Sequence, residues 1–197
     1  TDEILKKYGQ RIRWISEPDS GQADAVNKGI LGTKGDIIAW INSDDVYFDG
    51  TLNTVKDYFE KNPDVDFVYG DAWYIDVDDK KTSPYITEPW DFERLKDVCF
   101  ICQPAAFFRR RVVEQFGLLN IDLQYCMDYE YWLRLAEGNV RMAYLPVYLA
   151  GSRLYAENKT LGQKMKVHLE INRMLKNRLG YVPDSWLFGY ASHVTDT

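Results

Sequence analysis

Short apolar runs alternate with longer amphipathic stretches along most of this chain. The central run is Asp36 to Ile41, apolar and β-branched, bounded by Gly35 and by Asn42-Ser43-Asp44-Asp45. That pattern predicts a strand buried on both faces. Before it, Ile12 to Ser16 reads as a strand and Glu17 to Gly21 as a loop. A helix follows from about Gln22 to Leu31, with Ala23, Val26, Ile30 and Leu31 toward the sheet and Gln22, Asp24, Asn27 and Lys28 polar. After the central run, Leu52, Val55 and Phe59 recur at helical spacing within Asp49 to Lys61. Asp66 to Tyr69 and Ala72 to Asp76 read as two strands separated by Gly70-Asp71.

The second half is less regular. A short helix is expected within Trp90 to Val98, then an apolar run from Phe100 to Phe108 broken by Gln103. Arg109-Arg110-Arg111, read as a solvated face, opens a helix that ends near Phe116. Met127 to Ala136 is a strong helix, Arg141 to Ala150 supplies one or two strands around Pro146, and Thr160 to Leu179 forms one long helix. On that last helix His168 falls at an apolar-face spacing and reads as a core histidine. Strand–helix alternation at this spacing predicts an α/β fold with a mainly parallel sheet. Thr1 to Tyr8 reads as an amphipathic helix with Ile4, Leu5 and Tyr8 on one face, so the pattern lacks its usual opening strand.

The 197 residues suit one domain. We expect it over 1–160, with a C-terminal helix and aromatic tail (161–197, including Trp186, Leu187, Phe188 and Tyr190) packing on the same body. A 46% hydrophobic and 15% aromatic composition can fill its core. The net charge of −6 argues against a nucleic-acid surface, which calls for a basic patch. Cys99 and Cys102 are spaced C-x-x-C, but His168 and His193 lie far along the chain, so buried reduced thiols are expected, not a zinc site. No apolar stretch reaches the roughly 18–20 residues of a membrane span, and no secretory signal opens the sequence. A cytoplasmic protein is expected, with at most peripheral contact at the inner face of a membrane.

Candidate chemistry centres on Asp44 and Asp45, just past the central strand. In open α/β sheets ligands bind outside the strands' carboxyl ends. Two adjacent carboxylates repel and need a cation or a set of donors. A divalent metal carrying a diphosphate satisfies both, and a polar turn capping the next helix is the simpler alternative. Asp128 sits in the first turn of its helix, where the dipole favours carboxylates, so capping competes with catalysis there. Gln103 reads as a bonded core amide or a ligand contact.

Taken together these stretches resemble the inverting family 2 glycosyltransferases of the GT-A fold. Ser16-Glu17-Pro18-Asp19-Ser20-Gly21-Gln22-Ala23-Asp24-Ala25-Val26-Asn27-Lys28-Gly29 is similar to the family's segment before its metal motif. Ile41-Asn42-Ser43-Asp44-Asp45 is similar to its D-x-D motif, with Asn42 in place of the first Asp. Met127-Asp128-Tyr129-Glu130-Tyr131-Trp132-Leu133-Arg134-Leu135 is similar to its E-D-x-x-x-W-x-x-R segment, with Met127 in place of Glu. Arg153-Leu154-Tyr155 lies where members carry Arg-x-His.

The resemblance implies a GT-A-type, mainly parallel mixed sheet flanked by helices, without the family's first strand–helix–strand unit. It implies transfer of a sugar from a nucleotide-diphosphate sugar to a saccharide or lipid-linked acceptor, with inversion. Asp128 would be the catalytic base. Asp44 and Asp45 would hold Mn²⁺ or Mg²⁺. Gln22, Asn27, Asp44, Asp45, Asp71, Gln103 and Arg153 would contact the donor. Two other readings are a two-carboxylate glycoside hydrolase and a non-catalytic scaffold, possible as a homodimer paired through an open sheet edge.

Overall fold

The computed structural model describes residues 2–155 and 163–195. A first helix, α1 (Asp2–Tyr8), leads through a 3-10 turn to an extended stretch and then to α2 (Gln22–Gly32). β1 (Ile37–Ile38), β2 (Val46–Tyr47), α3 (Thr51–Lys61), β3 (Phe67–Ile75), β4 (Lys81–Pro84) and α4 (Phe92–Asp97) follow. A 3-10 turn at Gln103–Ala105 precedes β5 (Ala106–Arg109), α5 (Arg110–Phe116), α6 (Met127–Glu137) and β6 (Met142–Arg153). The helices α7 (Lys164–Leu179) and α8 (Asp184–Thr195) close the order.

The sheet runs β1-β5-β3-β6-β2, with β4 paired to β3. It is mixed and flanked by helices, as expected, but it is not mainly parallel. Among the described residues only β3 with β6 is parallel; β1–β5, β2–β6, β3–β4 and β3–β5 are antiparallel. Side chains alternate across the two central strands. Phe67, Tyr69, Ala106 and Phe108 pack with α2, α6 and α7 on one face. Val68, Ala72 and Phe107 pack with Val55 and Phe59 of α3 on the other. Trp132 of α6 anchors the first layer, fully buried, with its ring 4.8 Å from Phe67 and 5.4 Å from Trp40.

Several expectations change. The central strand shrinks to Ile37–Ile38 at the sheet's edge, because the backbone beyond leaves the ladder: the carbonyl of Trp40 accepts from the side chain of Gln103 at 2.6 Å. The stretch 12–16 forms no ladder among the described residues, and Ile12, Trp14 and Ile15 are exposed. Ile4 and Tyr8 of α1 are exposed too, so that amphipathic face covers little. Leu31 and Leu52, read as inward-facing, point to solvent. The two strands around Gly70 are one continuous β3. A Cβ on Gly70 would lie 2.6 Å from Leu149 Cδ1 and 2.7 Å from the Val147 carbonyl, so the glycine lets the strands approach instead of ending one. Opposite it β6 shifts register twice, which accommodates Pro146, a residue with no N–H for the ladder.

The triple arginine is a staple, not merely a solvated face. Arg109 donates to the carbonyls of Val65, Phe59 and Asn62, Arg110 to that of Gly35, and Arg111 to the Asp66 carboxylate. Residues 160–162 of the expected long helix lie outside the described residues; from Lys164 on, Ile171, Met174 and Leu175 are buried. Trp186 of the aromatic tail packs on Tyr129 with ring centroids 5.3 Å apart, while Leu187 and Phe188 stay exposed. His168 lies against Trp186, its ring 6.0 Å away.

Candidate active site

A cleft of about 600 Å³ opens where β1 and β6 end and β5 and α6 begin. Its lining brings together Gln22, Asp44, Asp45, Gln103, Asp128 and Arg153. These come from five segments spread over 132 residues of chain (22 to 153).

An amide network organises the acidic turn. Asn42 Nδ2 donates to Asp45 Oδ2 at 3.0 Å and to Gln103 Oε1 at 3.2 Å. Gln22 Nε2 donates to Asn42 Oδ1 at 2.7 Å. A neutral amide at position 42 can donate to Asp45 and Gln103 and accept from Gln22 at once. A carboxylate there would set like charges side by side, which gives the Asn a physical reason. Asp45 is satisfied from the other side by the backbone N–H of Arg153, which donates to Oδ1 at 2.9 Å. Burial still pushes the Asp45 carboxyl above its ordinary range, opposed by these hydrogen bonds.

Asp44 faces a different environment: its Oδ2 accepts the Tyr155 hydroxyl at 3.1 Å. The Arg153 side chain donates to the Asp44 carbonyl at 2.7 Å and to the carbonyl of Asp76, and pairs with Asp79. Arg153 therefore ties the acidic turn to the β3–β4 turn while lining the cleft. Among the described residues no three His, Cys, Asp or Glu side chains converge as a metal cage. The donor set instead fits a hard divalent cation held by one or two carboxylates and by oxygens of a substrate. Asp44 suits it best, since both oxygens of Asp45 already receive N–H donors.

Asp128 lies across the cleft, in the first turn of α6. It sits in the first turn as expected, while the N-cap position itself is Cys126, with no side-chain cap bond. Its Oδ1 accepts the backbone N–H of Tyr129 at 2.8 Å. Burial raises its pKa, and this hydrogen bond partly opposes the rise. Nearby Cys99, Cys102 and Cys126 are free thiols whose pKa values burial pushes up, so they stay protonated and unreactive, as their reading as reduced thiols requires.

Two expected contacts lie elsewhere. Asn27 is 6% exposed and its side chain grips both backbone groups of Leu119, donating to the carbonyl and accepting from the N–H, each at 2.9 Å. Such a saturated buried amide is a fold element. Asp71 lies outside the cleft lining and accepts the Tyr144 hydroxyl at 2.8 Å. Conversely, Tyr74 and Tyr85, and Val167, Ile171 and Trp186 of the C-terminal helices, line the cleft unannounced. Aromatic and apolar residues at helix spacing look alike in sequence whether they face a core or a cavity.

The W-x-x-R part of the α6 segment is structural. Glu130 is buried, paired with Arg134 at 3.0 Å and with Arg178. Arg134 also donates to the carbonyls of Phe116 and Leu118.

The sequence pattern of the family described as "Glycosyl transferase family 2" matches residues 1–117. The chain belongs to that family. An uncharacterized glycosyltransferase of Methanocaldococcus jannaschii is 22% identical over 176 residues, covering 85% of this family 2 chain and 60% of the relative. Among solved structures, the mannosyltransferase PcManGT of Pyrobaculum calidifontis, in complex with GDP-Man and Mn²⁺, superposes with a TM-score of 0.64 at 15% identity, covering 94% of this chain and 53% of that one. TarS of S. aureus (residues 1–349), in complex with UDP-GlcNAc, superposes with a TM-score of 0.62 at 14% identity, covering 89% and 54%. These likenesses establish the GT-A-type fold. The chain spans 60% or less of each of these proteins.

Proposed function

We propose that this family 2 chain carries the catalytic cleft of an inverting glycosyltransferase that uses a nucleotide-diphosphate sugar. One observation carries the reading: Asp128 and the pair Asp44–Asp45, distant in the chain, line the same cleft. The donor's diphosphate would lie over the acidic turn, which Asn42, Gln22, Gln103 and the Arg153 N–H hold rigid. A divalent cation, Mn²⁺ or Mg²⁺, held by Asp44 with Asp45 behind it, would offset the negative charge that grows on the departing diphosphate.

The acceptor hydroxyl, with a pKa far above 7, needs a base as its oxygen attacks C1. Asp128 takes that proton. The new bond forms at the face of C1 opposite the breaking bond to the β-phosphate oxygen, so the anomeric centre inverts. A base works best with a pKa raised toward the operating pH, and burial raises that of Asp128. Cys99, Cys102, Met127 and Trp186 give the cleft an apolar part of its lining alongside its polar residues. In this reading Asn27, held by Leu119, and Asp71, held by Tyr144, are given no role.

The acceptor class we favour is a saccharide, free or lipid-linked. Among the described residues no helix is long and apolar enough to cross a membrane, so any membrane contact we propose is peripheral. The three free thiols suit a reducing compartment such as the cytoplasm.

The test is calorimetric titration of the full-length protein with UDP-GlcNAc and GDP-mannose, with and without Mn²⁺. Asp44→Asn is expected to lose the Mn²⁺ enhancement of binding, by at least tenfold in Kd. Equal affinity with and without the ion in the unmutated protein would refute the metal-assisted reading.

A further inference from the structure

A carboxylate outside the cleft lining holds the segment that leads into Asp128. Glu170, in the second turn of α7, accepts from three consecutive backbone N–H groups just ahead of α6. Gln124 N lies 2.9 and 3.1 Å from its two oxygens, Tyr125 N 2.6 Å and Cys126 N 3.0 Å from Oε1. These residues are 44 to 46 positions earlier in the chain. Successive N–H groups aimed at one point form an anion-binding concavity. Here the anion is a side chain of the protein itself.

The arrangement supplements a local acceptor. α6 begins at Met127, and its N-cap residue Cys126 contributes no side-chain bond. Of the first four backbone donors of the helix, Cys126 N–H goes to Glu170 and Tyr129 N–H to Asp128 itself. The negative charge also lies off the positive end of the α6 dipole, where it is favoured. A second tie from the start of the same helix reinforces the first: the Tyr125 hydroxyl donates to Gln163 Oε1 at 2.7 Å.

The clamped segment touches the acidic side of the cleft as well. Gly21, with φ +125°, approaches Gln124 so closely that a Cβ there would lie 2.9 Å from Gln124 Oε1. The next residue, Gln22, donates to Asn42, and Asn42 to Asp45. One contact path thus runs from α7 through 124–126 to the start of α2 and the acidic turn, with Asp128 two residues beyond the clamp.

We infer that Glu170 is a positioning residue: by gathering the N–H groups of Gln124, Tyr125 and Cys126 it fixes Asp128 relative to Asp44 and Asp45, so the C-terminal helix sets the catalytic geometry. The inference rests on the reading of Asp128 as the base. A displacement of about 1 Å at a reacting group can cost on the order of a hundredfold in rate.

The experiment compares Glu170→Gln and Glu170→Ala with the unmutated full-length protein. It measures kcat, donor Kd and hydrogen exchange of the peptide covering 124–132. Gln keeps one carbonyl oxygen for the N–H groups and Ala keeps none. The expected result is a graded loss of kcat, at least tenfold in Glu170→Ala and less in Glu170→Gln. Donor Kd should stay within about threefold, and exchange should rise in 124–132 but not in β3 or α3. Unchanged kcat in folded Glu170→Ala, or exchange that rises uniformly, would overturn the inference, since a merely structural Glu170 would loosen the whole fold and leave turnover per folded molecule intact. Asp128→Asn, assayed in parallel, tests the underlying reading separately. If it turns over normally, the base assignment fails and Glu170 has no catalytic group to position. If it is inactive while Glu170→Ala is normal, only the clamp fails.

Discussion

Replacing Asp128 with Asn separates activity from stability in opposite directions. The substitution keeps shape, and Asn Oδ1 can still accept the Tyr129 N–H that Asp128 accepts at 2.8 Å. It removes the charge and the ability to take a proton. General-base catalysis contributes about 10²–10⁴-fold, or roughly 2.7–5.4 kcal/mol of barrier, so kcat should fall by that factor. Donor binding at Asp44 should be kept.

Stability should rise. Burial holds the folded-state pKa of Asp128 above its ordinary 3.8. The folded state therefore binds its proton more tightly than the unfolded chain, and the charged form costs stability once pH is above the raised value. Each unit of such a shift is worth about 1.4 kcal/mol. Asp128→Asn removes that cost, so its Tm at pH 7 should exceed that of the unmutated protein, by about 2–4 °C for each kcal/mol recovered. The gain should shrink as pH falls through the raised pKa and vanish below about 3.8, where Asp128 is protonated in both states. The assays are nucleotide release under saturating donor and calorimetric melts between pH 3.5 and 8, a range of roughly the width needed to bracket the shift. The reasoning is refuted by turnover within about threefold of normal, or by a Tm at pH 7 lower than that of the unmutated protein. The same shift predicts the low-pH limb of the unmutated enzyme's rate profile: kcat should drop as Asp128 is protonated, with a midpoint above the ordinary carboxylate range.

Other perturbations test the frame around the cleft. Asn27→Ala strands both backbone groups of Leu119 in a buried site and should cost about 2–4 kcal/mol in urea unfolding, while donor Kd stays unchanged; a tenfold weaker Kd would restore Asn27 to the binding site. Gly70→Ala puts a methyl group within 2.7 Å of the Val147 carbonyl and should cost about 1–3 kcal/mol by the same measurement. Arg134→Ala leaves the carbonyls of Phe116 and Leu118 unmet and Glu130 with Arg178 as its remaining cation. We expect about 3 kcal/mol of lost stability, and a loss below 0.5 kcal/mol would show that the network is solvent-compensated.

What could be read from the residues followed their physics. Helices with a strong period, such as Thr51–Lys61 and Met127–Glu137, appear in the fold near their expected places, because burying Val55 with Phe59, or Trp132 with Leu135, depends only on local spacing. Pairing direction was not legible. A short apolar run looks the same in a parallel and an antiparallel ladder, and β5 inserts between β1 and β3 from 31 residues downstream of β3 (75 to 106), reversing two ladders. The acidic turn was legible as chemistry, since two adjacent carboxylates must be answered by something. What answers them was not. The responders are the Asn42 amide, itself held by Gln22 and Gln103, the backbone N–H of Arg153 and the Tyr155 hydroxyl, each unremarkable alone. Asn27 shows the converse error, for a polar side chain at a helical polar position turned inward to satisfy a loop 92 residues away. The cap of α6 was hidden for the same reason: Glu170 sits on the partly exposed side of another helix, and only the folded chain brings its carboxylate to the bare N–H groups before Asp128. A sequence displays groups that need partners. It names the partners only when they are close in the chain, and in this cleft nearly all of them are distant.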